Sequence, residues 1–164
     1  MIEARFWSAG VLAATLGIAA MSLAACAGGG ATSASVRQVL STTSFGMCVG
    51  YCTTRLEISE GQAVLVRMAH GGRGAQELPE QRFAAALAPG EWREIARLAA
   101  NTQFNGLPPV IGCPDCADGG AESLTIADSE ASRTISFDYN APIVQAQPLL
   151  ERVRALRERM TPKR

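Results

Sequence analysis

The stretch Thr53-Thr54-Arg55-Leu56-Glu57-Ile58-Ser59-Glu60-Gly61-Gln62-Ala63-Val64-Leu65-Val66-Arg67-Met68-Ala69 reads as a β-hairpin. Thr54, Leu56 and Ile58 fall on one face of the first run, Arg55 and Glu57 on the other, the period-two signature of a half-buried strand. Ser59 to Gln62 is a turn, and Ala63 to Ala69 is a second β-rich run, ended by His70-Gly71-Gly72-Arg73-Gly74. A hairpin leaves one apolar face open, so the rest of the domain must cover it.

Working outward, Gln81 to Leu87 is expected as a third, weaker strand, although its three alanines also permit helix. Pro89-Gly90 opens a helix through about Ala100, with Trp92, Ile95, Leu98 and Ala99 on its apolar stripe. Asn101 to Cys116 reads as a Gly- and Pro-rich loop. Glu122 to Ala127 and Thr134 to Tyr139 alternate around Asp128-Ser129-Glu130-Ala131, a second hairpin. Asn140 is an N-cap candidate, with Pro142 close behind. Leu149, Val153, Leu156 and Met160 follow at helical spacing, so a final helix buries that stripe. Pro148 falls in its first turn or marks a kink. The expected order is β-β-β-α-β-β-α. The expected fold is α+β: a two-layer sandwich, with an antiparallel sheet of four to five strands and both helices on one face.

Composition removes several function classes. The chain has 15 Lys+Arg against 15 Asp+Glu, so it carries no electrostatic footprint for nucleic acid. Lys163 is the only lysine. His70 is the single histidine, too few for a catalytic triad or a His-rich metal site. Gly71 to Gly74 lacks the Lys-Ser/Thr and the following helix of a phosphate loop. Glu91 and Glu94 suit the dipole of a helix start and are expected on its exposed side. Trp92 is expected in the core. Arg152, Arg154, Arg157 and Arg159 are expected on a solvated face, where with Lys163 and Arg164 they could also touch anionic lipid or cell wall. None of these residues names a reaction, and a binding or structural role is expected ahead of catalysis.

Cys48, Cys52, Cys113 and Cys116 are the constellation that carries chemistry. With the strand at Gln81 to Leu87 present, the chain route returns Cys113 and Cys116 to the end of the sheet near Cys48 and Cys52. The expectation is therefore all four at one pole, as two disulfides. Four cysteines allow three pairings. Cross-loop bridges would contribute roughly 4 kcal/mol in the entropy model, local ones about 2 kcal/mol. A Cys48–Cys52 bridge needs a turn, since four extended residues span roughly 13 Å against a disulfide limit of roughly 7 Å; Gly50 permits one. Two alternatives use the same residues. C-x3-C and C-x2-C approach the spacing of a four-thiolate metal site. Cys113-Pro114-Asp115-Cys116 is a dithiol motif, but it precedes a strand rather than a helix, and Asp115 and Asp118 should disfavour thiolate.

The N-terminus carries a resemblance. Met1 to Arg5 is a weakly charged start, Phe6 to Met21 is almost wholly apolar, and Leu23-Ala24-Ala25-Cys26 follows. This resembles the lipobox of bacterial lipoproteins. The resemblance implies a signal peptide at 1–25, diacylglycerol with added palmitate on Cys26, a flexible tether at 26–35 and one folded domain at 36–164. A covalent lipid is the only group implied, with no metal and no further cofactor. Ala27 rather than Asp resembles the outer-membrane sorting signal, so the domain is expected in the periplasm. A second likeness lies in Phe45-Gly46-Met47-Cys48-Val49-Gly50-Tyr51 ahead of the first hairpin. It resembles an uncharacterised bacterial lipoprotein domain whose hallmark is Phe-Gly-x-Cys-Pro-x-Tyr, with Val49 here in place of Pro. Together these imply a lipid-anchored domain with a binding or envelope-structural role. Its partners would be the membrane and an envelope protein or cell wall. The alternative is a thiol-redox or metal-handling lipoprotein.

Overall fold

The computed structural model describes residues 35–69 and 78–163. The signal segment, Cys26, nearly all of the tether, His70, the glycine run at 71–74 and Arg164 lie outside the described residues. The strands are β1 (Gln38–Ser44), β2 (Tyr51–Ser59), β3 (Gln62–Ala69), β4 (Gln81–Ala86), β5 (Val110–Ile111), β6 (Ala121–Ala127) and β7 (Ser132–Asp138). The helices are α1 (Glu91–Asn101) and α2 (Gln147–Met160). The seven strands form one sheet in the order β4-β3-β2-β1-β6-β7-β5. Every pairing is antiparallel except β5 with β7, which is parallel. The fold is thus α+β with two helices on a mixed, mostly antiparallel sheet.

Both expected hairpins form. Leu56 lies opposite Leu65, and Leu124 opposite Ile135, so cross-strand pairs place their apolar side chains on one face. The β2–β3 turn uses Gly61 at φ 80°. In the β6–β7 turn, the Asp128 carboxylate accepts the amides of Glu130 and Ala131, each at 2.8 Å. Those two bonds hold its carboxyl below the ordinary aspartate value. The sheet's inner face gives Val39, Leu56, Ile58, Leu65, Leu124, Ile135 and Phe137 to a core shared with Ile95, Leu149, Leu150, Val153 and Leu156. Trp92, Leu98 and Ile126 pack against it, half-buried. Full burial of a Leu- or Ile-sized side chain contributes about 1.5–3 kcal/mol, so this cluster dominates the folding free energy.

Four expectations need correction. The sheet has seven strands, not four to five. Strand β1 escapes the sequence pattern because two of its inward positions are Ser41 and Thr43, both buried. Strand β5, two residues long, lies within the stretch read as loop; Ser136 donates to the Pro109 carbonyl at 2.8 Å beside it. Asn140 does not cap α2: it sits at φ 62° in a turn, and the helix begins seven residues later with Pro148 in its first turn.

The last two corrections concern charge. Glu91 is buried, at 4% exposure, rather than on the outer side of α1. Its carboxylate accepts the Ala88 amide at 3.0 Å and both terminal nitrogens of Arg159 at 3.0–3.1 Å. Arg157, at 9% exposure, is not on a solvated face, and Arg154 is half-buried. α2 thus faces the core with one stripe and sends two pairs of arginines sideways, Arg152 and Arg159 toward α1, Arg154 and Arg157 toward the sheet.

Leu156 is fully enclosed by this core. Leu156→Ala should cost about 2–5 kcal/mol in chemical denaturation. A loss under about half a kcal/mol, the usual surface range, would mean α2 does not pack on the sheet.

Candidate functional site

The four domain cysteines meet at one end of the sheet, where β1 finishes and β6 begins. Cys48 and Cys52 form one disulfide, with Cα atoms 5.5 Å apart, and Cys113 and Cys116 form another at 5.4 Å. Both separations suit the bond. The first bridge depends on local backbone chemistry. Gly50 adopts φ 94°, a left-handed turn that only glycine enters freely. Phe45 then donates its amide to the Cys52 carbonyl at 3.2 Å, closing the loop. The β2–β3 register shifts between Tyr51 and Thr53, so Cys52 is the extra residue of a bulge. A bulge re-aims a side chain, and here Cys52 is buried while Cys48 is half-buried.

The second bridge lies in the chain between β5 and β6. Cys113 donates its amide to Asp138 at 3.2 Å, and Cys116 donates to the Cys113 carbonyl at 2.9 Å. Asp115, Ala117 and Asp118 all take positive φ, between 51° and 63°. Such conformations cost of order 1 kcal/mol or more each outside glycine and persist where surrounding bonds impose them. Asp115 supplies those bonds. Its carboxylate oxygen Oδ1 accepts the amides of Gly46 and Gly120, both at 3.2 Å. One side chain therefore ties the Cys113–Cys116 loop to the loop of the other bridge. The Phe45 ring closes over Gly120, leaving no space there for a Cβ, and meets Tyr139 edge-on with centroids 4.8 Å apart.

Beside this pole, on the helix side, lies a cavity of about 390 Å³ lined by Thr43, Phe45, Thr54, Tyr139, Arg154 and Arg157, among others. Its floor is an ion cluster. Glu122 of β6 points inward opposite Thr43 and is fully buried. Arg154 grips it with Nε and Nη2, at 3.0 and 2.7 Å from Oε2, and Nη2 also donates to the Ala141 carbonyl at 3.0 Å. Arg157 donates Nη1 to Glu122 Oε1 at 3.0 Å and to the Ser41 hydroxyl at 2.9 Å. A buried carboxylate without partners would be several kcal/mol unfavourable; two guanidiniums and their geometry offset that here.

Of the residues singled out from sequence, the structure brings Cys48, Cys52, Cys113 and Cys116 to one pole and pairs each with its near neighbour. While paired, none of the four is a thiolate, so a four-thiolate metal site requires both bridges to be reduced first. Cys26 lies outside the described residues. Sequence reasoning missed Asp115 as a clamp and the Glu122–Arg154–Arg157 cluster. The signal for the cluster was an acid at an inward strand position, Glu122, beside arginines three residues apart on a helix. No family model matches the chain, and no curated protein shows significant similarity to it.

The second ion cluster makes a pH prediction. Hydrogen bonds from Arg159 outweigh the opposing effect of burial, the Ala88 amide and Arg152 add to them, and the Glu91 carboxyl is held below its ordinary value of 4.5. Because the folded value is depressed, its stabilisation is complete above about pH 4.5 and lost as pH falls through the folded value. Glu91→Gln should lower the urea midpoint at neutral pH, and the gap to the parent should close on acidification. A gap that stays constant would contradict this role.

Proposed function

We propose that the protein is a lipid-anchored periplasmic domain of the cell envelope that binds a partner through its cysteine pole. The single observation that carries the binding role is the joint bracing of that pole: two short-range disulfides, clamped to each other by Asp115, beside an arginine-floored cavity. Rigid loops at one end of the sheet suit recognition, because less conformational freedom is lost on binding. The lipid anchor rests on Leu23-Ala24-Ala25-Cys26 and its likeness to a lipobox, and outer-membrane sorting rests on Ala27. Disulfides agree with an oxidising compartment. The covalent lipid is the only group the function needs.

A thiol-redox role has one observation in its favour: Cys113 and Cys116 are both exposed. The surroundings argue the other way. The carboxylates of Asp115, Asp118 and Asp138 lie in or against this loop. Negative charge disfavours a thiolate, and Cys113 stands before a single 3-10 turn and strand β6 rather than at the start of an α-helix that would stabilise one.

Four measurements test the reading. Cys26→Ala should abolish palmitate labelling and move the protein out of the membrane fraction; labelling that persists would sink the anchor. Replacing both Cys113 and Cys116 by Ser should lower stability by about 2 kcal/mol, as expected for a short closed loop, and should weaken partner capture at the pole, because the loosened loop loses more freedom on docking. Thiol counting on protein isolated from the envelope should find Cys48, Cys52, Cys113 and Cys116 oxidised. A reduction potential near those of oxidoreductases, rather than below about −300 mV, would favour the redox role instead.

A further inference from the structure

We infer that the cavity beside the cysteine pole is a binding site for a small oxyanion, a carboxylate or phosphate group, read by Arg157. This rests on the proposal that the pole binds a partner and names the chemistry of what it takes. The argument starts from donor counting. Arg157 uses only Nη1, toward Glu122 and Ser41. Among the described residues, its Nε and Nη2 find no acceptor, yet neither is sealed away from solvent. These two N–H groups lie parallel on one edge of the guanidinium, the edge that grips a carboxylate or phosphate with two bonds at once. Arg154 shows the same edge in use: its Nε and Nη2 hold Glu122. Arg157 presents an identical edge with nothing on it, in a side chain 10% exposed that lines the cavity.

Charge points the same way. Glu122 offsets one of the two guanidiniums inside the cluster, and the other carboxylate on the lining, Glu158, is exposed, screened by water and makes no ion pair with Arg157 among the described residues. An incoming anion on the free edge of Arg157 would pair with that guanidinium directly. The hydroxyls of Thr43 and Thr54 on the lining supply neutral donors, and Phe45 and Tyr139 supply a wall. A volume of about 390 Å³ is at the small end of ligand pockets, suited to one charged group with a short attachment. Glu158 also lines the cavity and is exposed. It lowers affinity for an anion, and so gives the proposal a second handle. Arg157 is preorganised for this task because Glu122 and Ser41 fix its orientation before any ligand arrives.

The test uses the purified full-length chain and titration calorimetry with inorganic phosphate and with acetate, each against chloride at equal ionic strength. Vesicles containing phosphatidylglycerol form a separate arm, which distinguishes a lipid headgroup from a free anion. Saturable binding of phosphate or acetate is expected. Arg157→Gln should weaken it about tenfold or more, the usual consequence of losing a two-bond charged contact. Arg157→Lys should recover little of it, since the ammonium lacks the parallel edge. Glu158→Gln should tighten it and does not touch the buried cluster, so it remains informative if Arg157→Gln folds poorly. Equal heats with chloride, binding unchanged in Arg157→Lys and Arg157→Gln, or weaker binding in Glu158→Gln would each overturn the inference. If anions fail to bind while Cys26 is lipidated and a partner is captured at the pole, this inference falls and the proposed function stands. If anions bind through Arg157 but no lipid is attached, the reverse holds.

Discussion

The contact on which the rest of the architecture depends is Glu122 against Arg154 and Arg157. It is a carboxylate on a central strand facing two guanidiniums on the final helix, beneath the packed layer between them. Apolar burial tolerates many rotations of a helix over a sheet. A buried charge does not, since any arrangement that separates the pair leaves a desolvated ion. The cluster therefore selects one docking of α2 among those the apolar stripe would accept. It also accounts for the inward Ser41 of β1, next to β6: the strand beneath the arginines supplies a hydroxyl to Arg157 there rather than an apolar group.

Glu91 performs a related task at the other side of α2. Its position at the first turn of α1 lets it close that turn through the Ala88 amide while reaching Arg159 and Arg152. The two helices are joined by this acid and by Ile95 and Ala99 in the shared core. α2 is thus held on both sides by charge and from below by hydrocarbon. Its four arginines do two different jobs on two different sides.

Alternation of apolar residues exposed most of the fold to a reader of the sequence. Leu56 and Ile58, Leu124 and Ile126, and the helical spacing of Leu149, Val153 and Leu156 mark strands and helix because a single buried face imposes a period. The periodic signal fails wherever the buried side chain is polar, as at Ser41 and Thr43, or wherever a strand is too short to have a period, as at Val110–Ile111. The cysteines were readable as a pole because strand β4 fixes the direction in which the chain returns. Their pairing was not, since it turns on a left-handed Gly50 and a bulge at Cys52. The arginine-floored cavity was invisible for a simpler reason: arginine on a helix has the same letter whether it points to solvent or to Glu122.

Strand β1 has a mechanical consequence. It is the first strand of the domain and the central one of the sheet, hydrogen-bonded residue for residue to β2 on one side and β6 on the other. Its upstream end, at Gln38, is where any tension carried by the preceding chain enters the domain. The cysteine pole lies at its far end, about seven residues or roughly 20 Å along the strand axis. A pull between those ends would load both ladders of β1 in shear. All of their hydrogen bonds would then resist together, instead of parting one after another as when a hairpin is peeled from an edge.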